Sequence, residues 1–233
     1  MISVCIATYN GEKYIKEQLD SILSQLNIND EIIISDDHST DRTLDLIRKF
    51  EDPRIKIFLN TNQKGYSKNF ENAIRRTSGD IIFICDQDDV WMKNKVDVML
   101  KALLNAPLAM HNASIVDENL SSINGSSHFD LYHVKKGFLK NFLKTRYIGA
   151  CMAFKKEILQ KALPFPANQK LCAYDYWLTL IAEYYYKVEL VPQQLIKYRR
   201  HGNNASTGGV KSKNSFGKKI NMRIYSLYHL FKR

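Results

Sequence analysis

Three carboxylates fall within four positions in Asp86-Gln87-Asp88-Asp89, directly after the apolar run Ile81-Ile82-Phe83-Ile84-Cys85. Like charges this close repel, and a divalent cation or a phosphate-bound metal makes such a cluster tolerable. In an extended segment residues two apart point the same way, so Asp86 and Asp88 can share one hard cation. A solvated acidic turn is the plain alternative for one cluster taken alone. A second cluster has the same grammar: Glu31-Ile32-Ile33-Ile34-Ser35 leads into Asp36-Asp37-His38-Ser39-Thr40-Asp41. Helix capping by Ser39 or Thr40 and a favourable helix-dipole charge account for Asp41, but less well for Asp36 at the strand tip. A third polar loop, Thr8-Tyr9-Asn10-Gly11, follows the opening strand Ile2 to Ala7. Three such tips on one repeating strand-helix scheme outline one cleft at the carboxyl edge of an open sheet, where ligands bind.

Two later residues are candidates for chemistry. Asp175 stands among aromatics in Ala173-Tyr174-Asp175-Tyr176-Trp177-Leu178 near a helix start. It reads either as an N-terminal helix acid or as a general base whose apolar neighbours raise its basicity. His201 closes Tyr198-Arg199-Arg200 and precedes a Gly/Ser-rich stretch. A lone histidine is more often a surface or core group than a ligand, and the arginines beside it can pair with phosphate. Tyr9 and Trp91 invite base stacking, although burial is the usual fate of such rings.

The elements that must position these residues alternate over the first hundred positions. Apolar spacing predicts helices through Ile15–Leu26, Leu44–Phe50, a segment capped near Ser67 with Phe70, Ala73 and Ile74, and Lys95–Leu104, with a further strand at Ile55–Leu59. Such alternation predicts an α/β fold, three layers with a mostly parallel central sheet. Beyond residue 105 the spacing predicts a strand at Leu108–Val116, a loose turn at Ser121–Ser127 and a short basic helix at Gly137–Thr145. It then predicts a strand at Gly149–Phe154, helices at Lys155–Ala162 and Tyr174–Tyr186, and two strands, Lys187–Val191 and Leu195–Tyr198. One domain over 1–205 is expected, in two halves (1–105 and 106–205), with a basic C-terminal helical tail (206–233).

Composition is that of an ordinary globular chain: 233 residues, 45% hydrophobic, 25% charged. No apolar run approaches a spanning helix, and the N-terminus lacks the marks of a signal peptide. The four cysteines show no ligand spacing and read as free thiols in a reducing compartment. Charge is uneven. Residues 1–189 are formally neutral, whereas the last 44 hold ten basic residues and no acid, so the whole net charge of +10 resides there. In that tail Phe216, Ile220, Ile224, Leu227 and Phe231 share a helical face beside Lys218, Lys219 and Arg223. The pattern suits either a helix on an anionic bilayer through residues 211–233 or one packed on protein.

Together, Val4-Cys5-Ile6-Ala7-Thr8-Tyr9-Asn10-Gly11, Ile34-Ser35-Asp36-Asp37-His38-Ser39-Thr40-Asp41, Asn62-Gln63-Lys64-Gly65 with Asn69, and Asp86-Gln87-Asp88-Asp89 resemble the family 2 inverting glycosyltransferases of GT-A fold over about residues 2–201. The Asp86–Trp91, Tyr174–Leu178 and Tyr198–Asn203 segments are similar to its bacterial rhamnosyltransferase-like branch. The resemblance implies that Thr8, Tyr9, Asn10, Asp36, Lys64 and Asp86 bind the nucleotide sugar. It further implies that Asp88 holds Mn²⁺ or Mg²⁺, that His201 adds a metal or diphosphate contact, and that Asp175 is the catalytic base. Tyr174 departs from the pattern, standing where many members carry Glu. The expected reaction moves a sugar, rhamnose on dTDP being the specific expectation, from a UDP- or dTDP-sugar to a saccharide or lipid-linked acceptor. The expected location is the cytoplasm, peripheral at the inner face of the plasma membrane, with no nucleic-acid partner. A sugar-phosphate nucleotidyltransferase would want a Gly-rich basic loop where Ala7-Thr8-Tyr9-Asn10-Gly11-Glu12 stands. A non-catalytic nucleotide-sugar or polyanion-binding module would account for the basic tail but leave three acidic tips unexplained.

Overall fold

The computed structural model describes residues 1–61, 63–202, 204 and 214–233. Asn62 and Asn203 of the expected motifs, and residues 211–213 of the expected membrane segment, lie outside the described residues.

Four strands build the first half: β1 (Ile2–Thr8), β2 (Glu31–Asp36), β3 (Ile55–Leu59) and β4 (Ile81–Cys85), in the parallel order β3-β2-β1-β4. Each of β1, β2 and β4 is an apolar run because helices cover both faces of the sheet, so neither side of the pleat meets water. Central β1 pairs on both flanks, Thr8 opposite Asp36 and Ile6 opposite Cys85. That register brings the three polar loops to one edge. Helices α1 (Ile15–Leu23), α2 (Thr43–Arg48), α3 (Tyr66–Ile74) and α4 (Lys95–Leu103) bury the expected apolar faces. The caps differ from expectation. Asp41 opens α2 by accepting from the Thr43 N–H, while Ser39 is drawn to Asp36. Helix α3 begins at Gly65, and the Ser67 hydroxyl instead accepts from the Tyr174 N–H.

The same sheet continues through the second half as β8 (Met152–Lys155), β6 (Leu108–Val116), β9 (Val188–Arg199) and the two-residue β5 (Val90–Trp91), in that order. Three expectations are corrected here. Ser122–Ser127 is a strand, β7, paired to β6, since an edge strand needs backbone partners and not an apolar alternation. Strand β8 starts only at Met152, after a 3₁₀ turn at Gly149–Cys151. The two expected C-terminal strands are one, β9: Pro192 and Gln193 bulge outward opposite the His111–Asn112 step, and the Asn112 amide donates to the Pro192 carbonyl.

Short helices α5 (His128–Tyr132), α6 (Phe138–Leu143) and α7 (Leu159–Ala162) join these strands, and α8 (Tyr174–Tyr185) is buried along most of its length. The last helix, α9 (Phe216–Leu230), docks on the domain through Ser226 and Leu230, with the Tyr185 hydroxyl donating to the Leu230 carbonyl. The face expected to be apolar is mostly the other one. Phe216, Ile220, Ile224 and Phe231 are exposed, and only Leu227 packs partly on the core. No helix among the described residues is long and apolar enough to cross a membrane.

Candidate active site

The wall of the cleft at β1 and β2 is braced from within. Asp36 is wholly buried and accepts from the Thr8 hydroxyl at 2.7 Å, the Ser39 N–H at 2.7 Å and the Ser39 hydroxyl at 2.6 Å. Most of its acceptor capacity is therefore spent on the two loops it joins. Asn10 sits at φ 48° and accepts from the Thr40 N–H, tying the first loop to the second. Asp37 does the same for the third loop, accepting from the Asn60 amide at 2.7 Å and the Gly65 N–H at 2.8 Å. Gly65 has φ 124°, a conformation that side chains disfavour, which is why glycine stands there. Tyr9 is exposed at the mouth, and Lys64 is exposed with its carbonyl accepting from Gln169.

Strand β4 ends at Cys85, so the pleat argument for Asp86 and Asp88 does not apply. A turn places the two side by side instead, and adds Asp89. One ligand atom from each of the three lies within 4.8 Å of the others. Burial pushes Asp86 up to about 7, reinforced by the charges of Asp88 and Asp175. Burial, with Asp88 and Asp86 beside it, raises Asp89 well above the carboxylate range. Asp89 Oδ2 is buried without a hydrogen-bond partner. Hard oxygens converging with one unmatched acceptor fit a hard divalent cation. His201 Nε2 lies 2.7 Å from Asp88 Oδ2, so an imidazole joins the same group, and the Asn204 amide donates to that oxygen at 3.1 Å. Asp36 stands one loop away, outside the carboxylate group.

Chain topology closes this turn. Val90 and Trp91 pair with Lys197 and Ile196, which delivers Arg199 to the motif. The Arg199 N–H donates to Asp89 Oδ1 at 2.9 Å and its Nε to the Asp88 carbonyl at 2.8 Å. Its remaining nitrogens donate to the Glu118 carbonyl and to Glu17. Gln87 locks the turn to the first loop, accepting from the Tyr9 N–H at 2.9 Å and donating to the Tyr9 carbonyl at 3.0 Å. Beneath lies Lys95, buried, donating to the Ala150 carbonyl and seated 4.2 Å from the Trp91 ring centroid. Burial pulls its ammonium down to about 8.

Asp175 occupies the first turn of α8 and accepts from the Tyr176 N–H at 2.7 Å. Burial raises it to about 6, and its charge adds to the upward shift of Asp86. Tyr174, its neighbour, lies over Phe70 at 4.3 Å between centroids. The sequence reading gives Gln87, Lys95 and Asn204 no role, takes Asp89 only as a member of the acidic cluster, and takes Arg199 as a phosphate partner, whereas the structure ties it to the carboxylate turn. Asp89 and Gln87 stood inside the motif and could have been assigned. The others act through strand pairings that local patterns do not show.

The profile described as "Glycosyl transferase family 2" matches residues 3–163. The chain is a family 2 glycosyltransferase. It is 32% identical over 216 residues to the dTDP-rhamnosyl transferase RfbG of Shigella flexneri, covering 85% of this chain and 72% of that protein. It is 28% identical over 184 residues to the UDP-Glc:alpha-D-GlcNAc-diphosphoundecaprenol beta-1,3-glucosyltransferase WfgD of Escherichia coli, covering 78% and 70%. In fold this glycosyltransferase is similar to S. aureus TarS 1-349 in complex with UDP-GlcNAc, with a TM-score of 0.69, 18% identity, and coverage of 99% and 72%. It is also similar to the mannosyltransferase PcManGT of Pyrobaculum calidifontis with GDP-Man and Mn²⁺, with a TM-score of 0.60, 24% identity, and coverage of 82% and 55%. The fold is GT-A: mixed α/β, with a mostly parallel central sheet and a C-terminal helix.

Proposed function

We propose that this glycosyltransferase moves a sugar, with inversion, from a nucleotide-diphosphate donor to a hydroxyl of a cell-surface polysaccharide or lipid-linked oligosaccharide precursor. The observation that carries the reading is the pairing of two unlike acidic features in one cleft. Three carboxylates offer ligand atoms within 4.8 Å at the Asp86–Asp89 turn, and Asp175, whose charge acts on Asp86, is a partly buried carboxyl raised to about 6. RfbG and WfgD, as described, use dTDP-rhamnose and UDP-glucose chemistry, which supports a UDP- or dTDP-sugar donor, rhamnose included.

In this reading the loops after β1, β2 and β3 hold the nucleotide. Tyr9 at the mouth offers a ring face, and Thr8, Asn10 and Asp36 set the shape of the base pocket through the bonds that join their loops. Asp86 faces the ribose, and exposed Lys64 is free to reach toward phosphate. Asp88, with Asp86, Asp89 and His201, would hold Mn²⁺ or Mg²⁺. A cation bound there supplies positive charge against the departing diphosphate. The acceptor hydroxyl attacks the anomeric carbon as the bond to the diphosphate oxygen breaks. Asp175 takes the hydroxyl proton, and the electron pair leaves with the nucleoside diphosphate. A carboxyl near 6 is ionised at neutral pH yet more basic than a solvated one, which suits that role. Residues 1–105 supply the donor side and 106–205 the acceptor side.

Asp175→Asn tests the assignment. Donor-dependent transfer should fall by at least a hundredfold, while the thermal shift produced by a UDP- or dTDP-sugar with Mn²⁺ persists. Wild-type-like transfer by this variant would remove Asp175 from the mechanism.

A further inference from the structure

Helices α6 and α9 lie far apart in sequence, yet both pack on α8. Arg223 of α9 joins them: its guanidinium donates to the Leu143 carbonyl at 2.6 Å and lies over the rings of Phe142 and Tyr176. At the far end Phe231 meets Tyr184 of α8 edge-on at 6.1 Å, and Tyr184 meets Phe138 of α6 at 5.2 Å. On a helix, residues three and four apart share a face, so Phe216, Ile220, Ile224 and Phe231 form one stripe on α9, and Arg223 flanks it on the side toward α6. Leu139 and Leu143 of α6 are 71% and 69% exposed, and Phe216, Ile224 and Phe231 are 79%, 62% and 67% exposed. Exposed apolar side chains therefore stand on both helices, which Arg223 and the Phe138–Tyr184–Phe231 rings link.

Helices α6 and α9 themselves carry basic and no acidic side chains. Residues 131–156 contain seven Lys and Arg and no acid, and residues 190–233 contain ten and no acid. Within these segments, α6 and α9 are joined by the bond from Arg223 to the Leu143 carbonyl. Lys140 and Lys144 rim α6, and Lys218, Lys219 and Lys232 rim α9, all exposed. We infer that the joint α6–α9 face is a bilayer-docking surface, which inserts its leucine, isoleucine and phenylalanine side chains among acyl chains while its lysines meet anionic headgroups. A second copy of the chain is a poor occupant, since an isologous contact would set lysines against lysines. A nucleic acid would satisfy the charge but leave the apolar side chains in water. A bilayer with anionic lipid satisfies both. Asp175 lies nine residues before Tyr184 on α8, about 14 Å along the helix, so the docked face sits one short helix from the proposed base.

The test is flotation of the full chain with vesicles of phosphatidylcholine plus phosphatidylglycerol, and of phosphatidylcholine alone. The expected result is binding to the mixed vesicles only, weakened by salt. Leu139→Ser with Leu143→Ser, and separately Ile220→Ser with Ile224→Ser, should each lower the partition coefficient roughly tenfold or more, with unchanged melting temperature. Because these positions are exposed and outside the cleft, donor-dependent transfer to a soluble acceptor should remain at wild-type level, which separates this inference from the proposed reaction. Absence of wild-type binding to the mixed vesicles overturns the inference. So does wild-type binding by the α6 variant, which would leave the tail helix acting alone. A dimer in analytical ultracentrifugation that both variants convert to monomer, without vesicle binding, would assign the face to self-association and likewise overturn it.

Discussion

Arg199→Ala should loosen the carboxylate turn and lower stability together, and the structure sets the size of both effects. The side chain is nearly fully buried and donates to two main-chain carbonyls, of Asp88 and Glu118, and to the Glu17 carboxylate. Hydrogen bonds from a charged donor contribute about 1.5 kcal/mol each or somewhat more. The two carbonyl bonds therefore account for about 3 kcal/mol. The Glu17 partner is 49% exposed, which limits that pair to under about 1 kcal/mol. The contact of the guanidinium with the Tyr14 ring, 4.5 Å to the centroid, adds about 0.5 kcal/mol. The bond from the Arg199 N–H to Asp89 survives any side-chain change. A loss of about 4 kcal/mol follows, which lowers the melting temperature of a domain this size by roughly 10 °C. Asp88 would keep its side-chain partners but lose its main-chain anchor, so Mn²⁺ affinity should fall by about one to two orders of magnitude, as for other outer-sphere changes. Calorimetry without metal, and Mn²⁺ titration by isothermal calorimetry below the variant's melting point, measure the two effects. Arg199→Lys should recover part of the stability and little of the affinity, because one ammonium cannot span three acceptors. Unchanged Mn²⁺ affinity in an Arg199→Ala protein that has lost the predicted stability would refute the coupling. Arg199 would then brace the fold and not the turn.

The base assignment makes a pH prediction: with Asp175 raised to about 6, the protonated form dominates below that pH, and kcat should fall about tenfold per unit on the acid side. A limb near pH 4 would place the base elsewhere. At Gly149, a Cβ would stand 2.0 Å from the Tyr174 hydroxyl, so Gly149→Ala must shift that buried ring, the chain neighbour of Asp175. The expected cost is about 1–3 kcal/mol of stability with a fall in kcat at near-constant donor affinity, and an unchanged kcat would show that Tyr174 moves independently of the base. Asp86 is raised to about 7, above its unfolded value, so its contribution to stability is full at acid pH and is lost as pH rises toward and through 7. In metal-free protein Asp86→Asn should flatten the decline in melting temperature between pH 5 and 8, and a slope equal to wild type would refute the shift.

Much of the first half was legible because its carboxylate clusters and their scaffold are local. Strands β1, β2 and β4 are buried on both faces, so each reads as an apolar run, and each cluster sits directly after its strand. The parallel order of those strands then made the three loops neighbours. Asp36 shows the limit of that argument. Position at a strand tip placed it at the cleft edge, but only the coordinates reveal that Thr8 and Ser39 turn its carboxylate inward as a brace. What could not be read is the closure of the Asp86–Asp89 turn. Asp88 and His201 are 113 positions apart and meet because two residues, Val90 and Trp91, pair antiparallel with β9 while β9 runs parallel to β6. A two-residue strand leaves no periodic trace, and the Pro192 bulge split the apparent pattern of β9 in two. The serine-rich β7 was invisible for a related reason, since backbone bonds and one Asn112–Ser127 hydrogen bond hold it without an apolar alternation. The same logic explains the outward face of α9: the helical wheel identifies an apolar stripe, but which stripe the domain covers depends on Ser226 and Leu230, small or few as they are, fitting against α8. Leu230, Leu227 and Tyr225 pack on the domain while Phe216, Ile220 and Ile224 remain exposed, which leaves an apolar stripe available to something outside the chain.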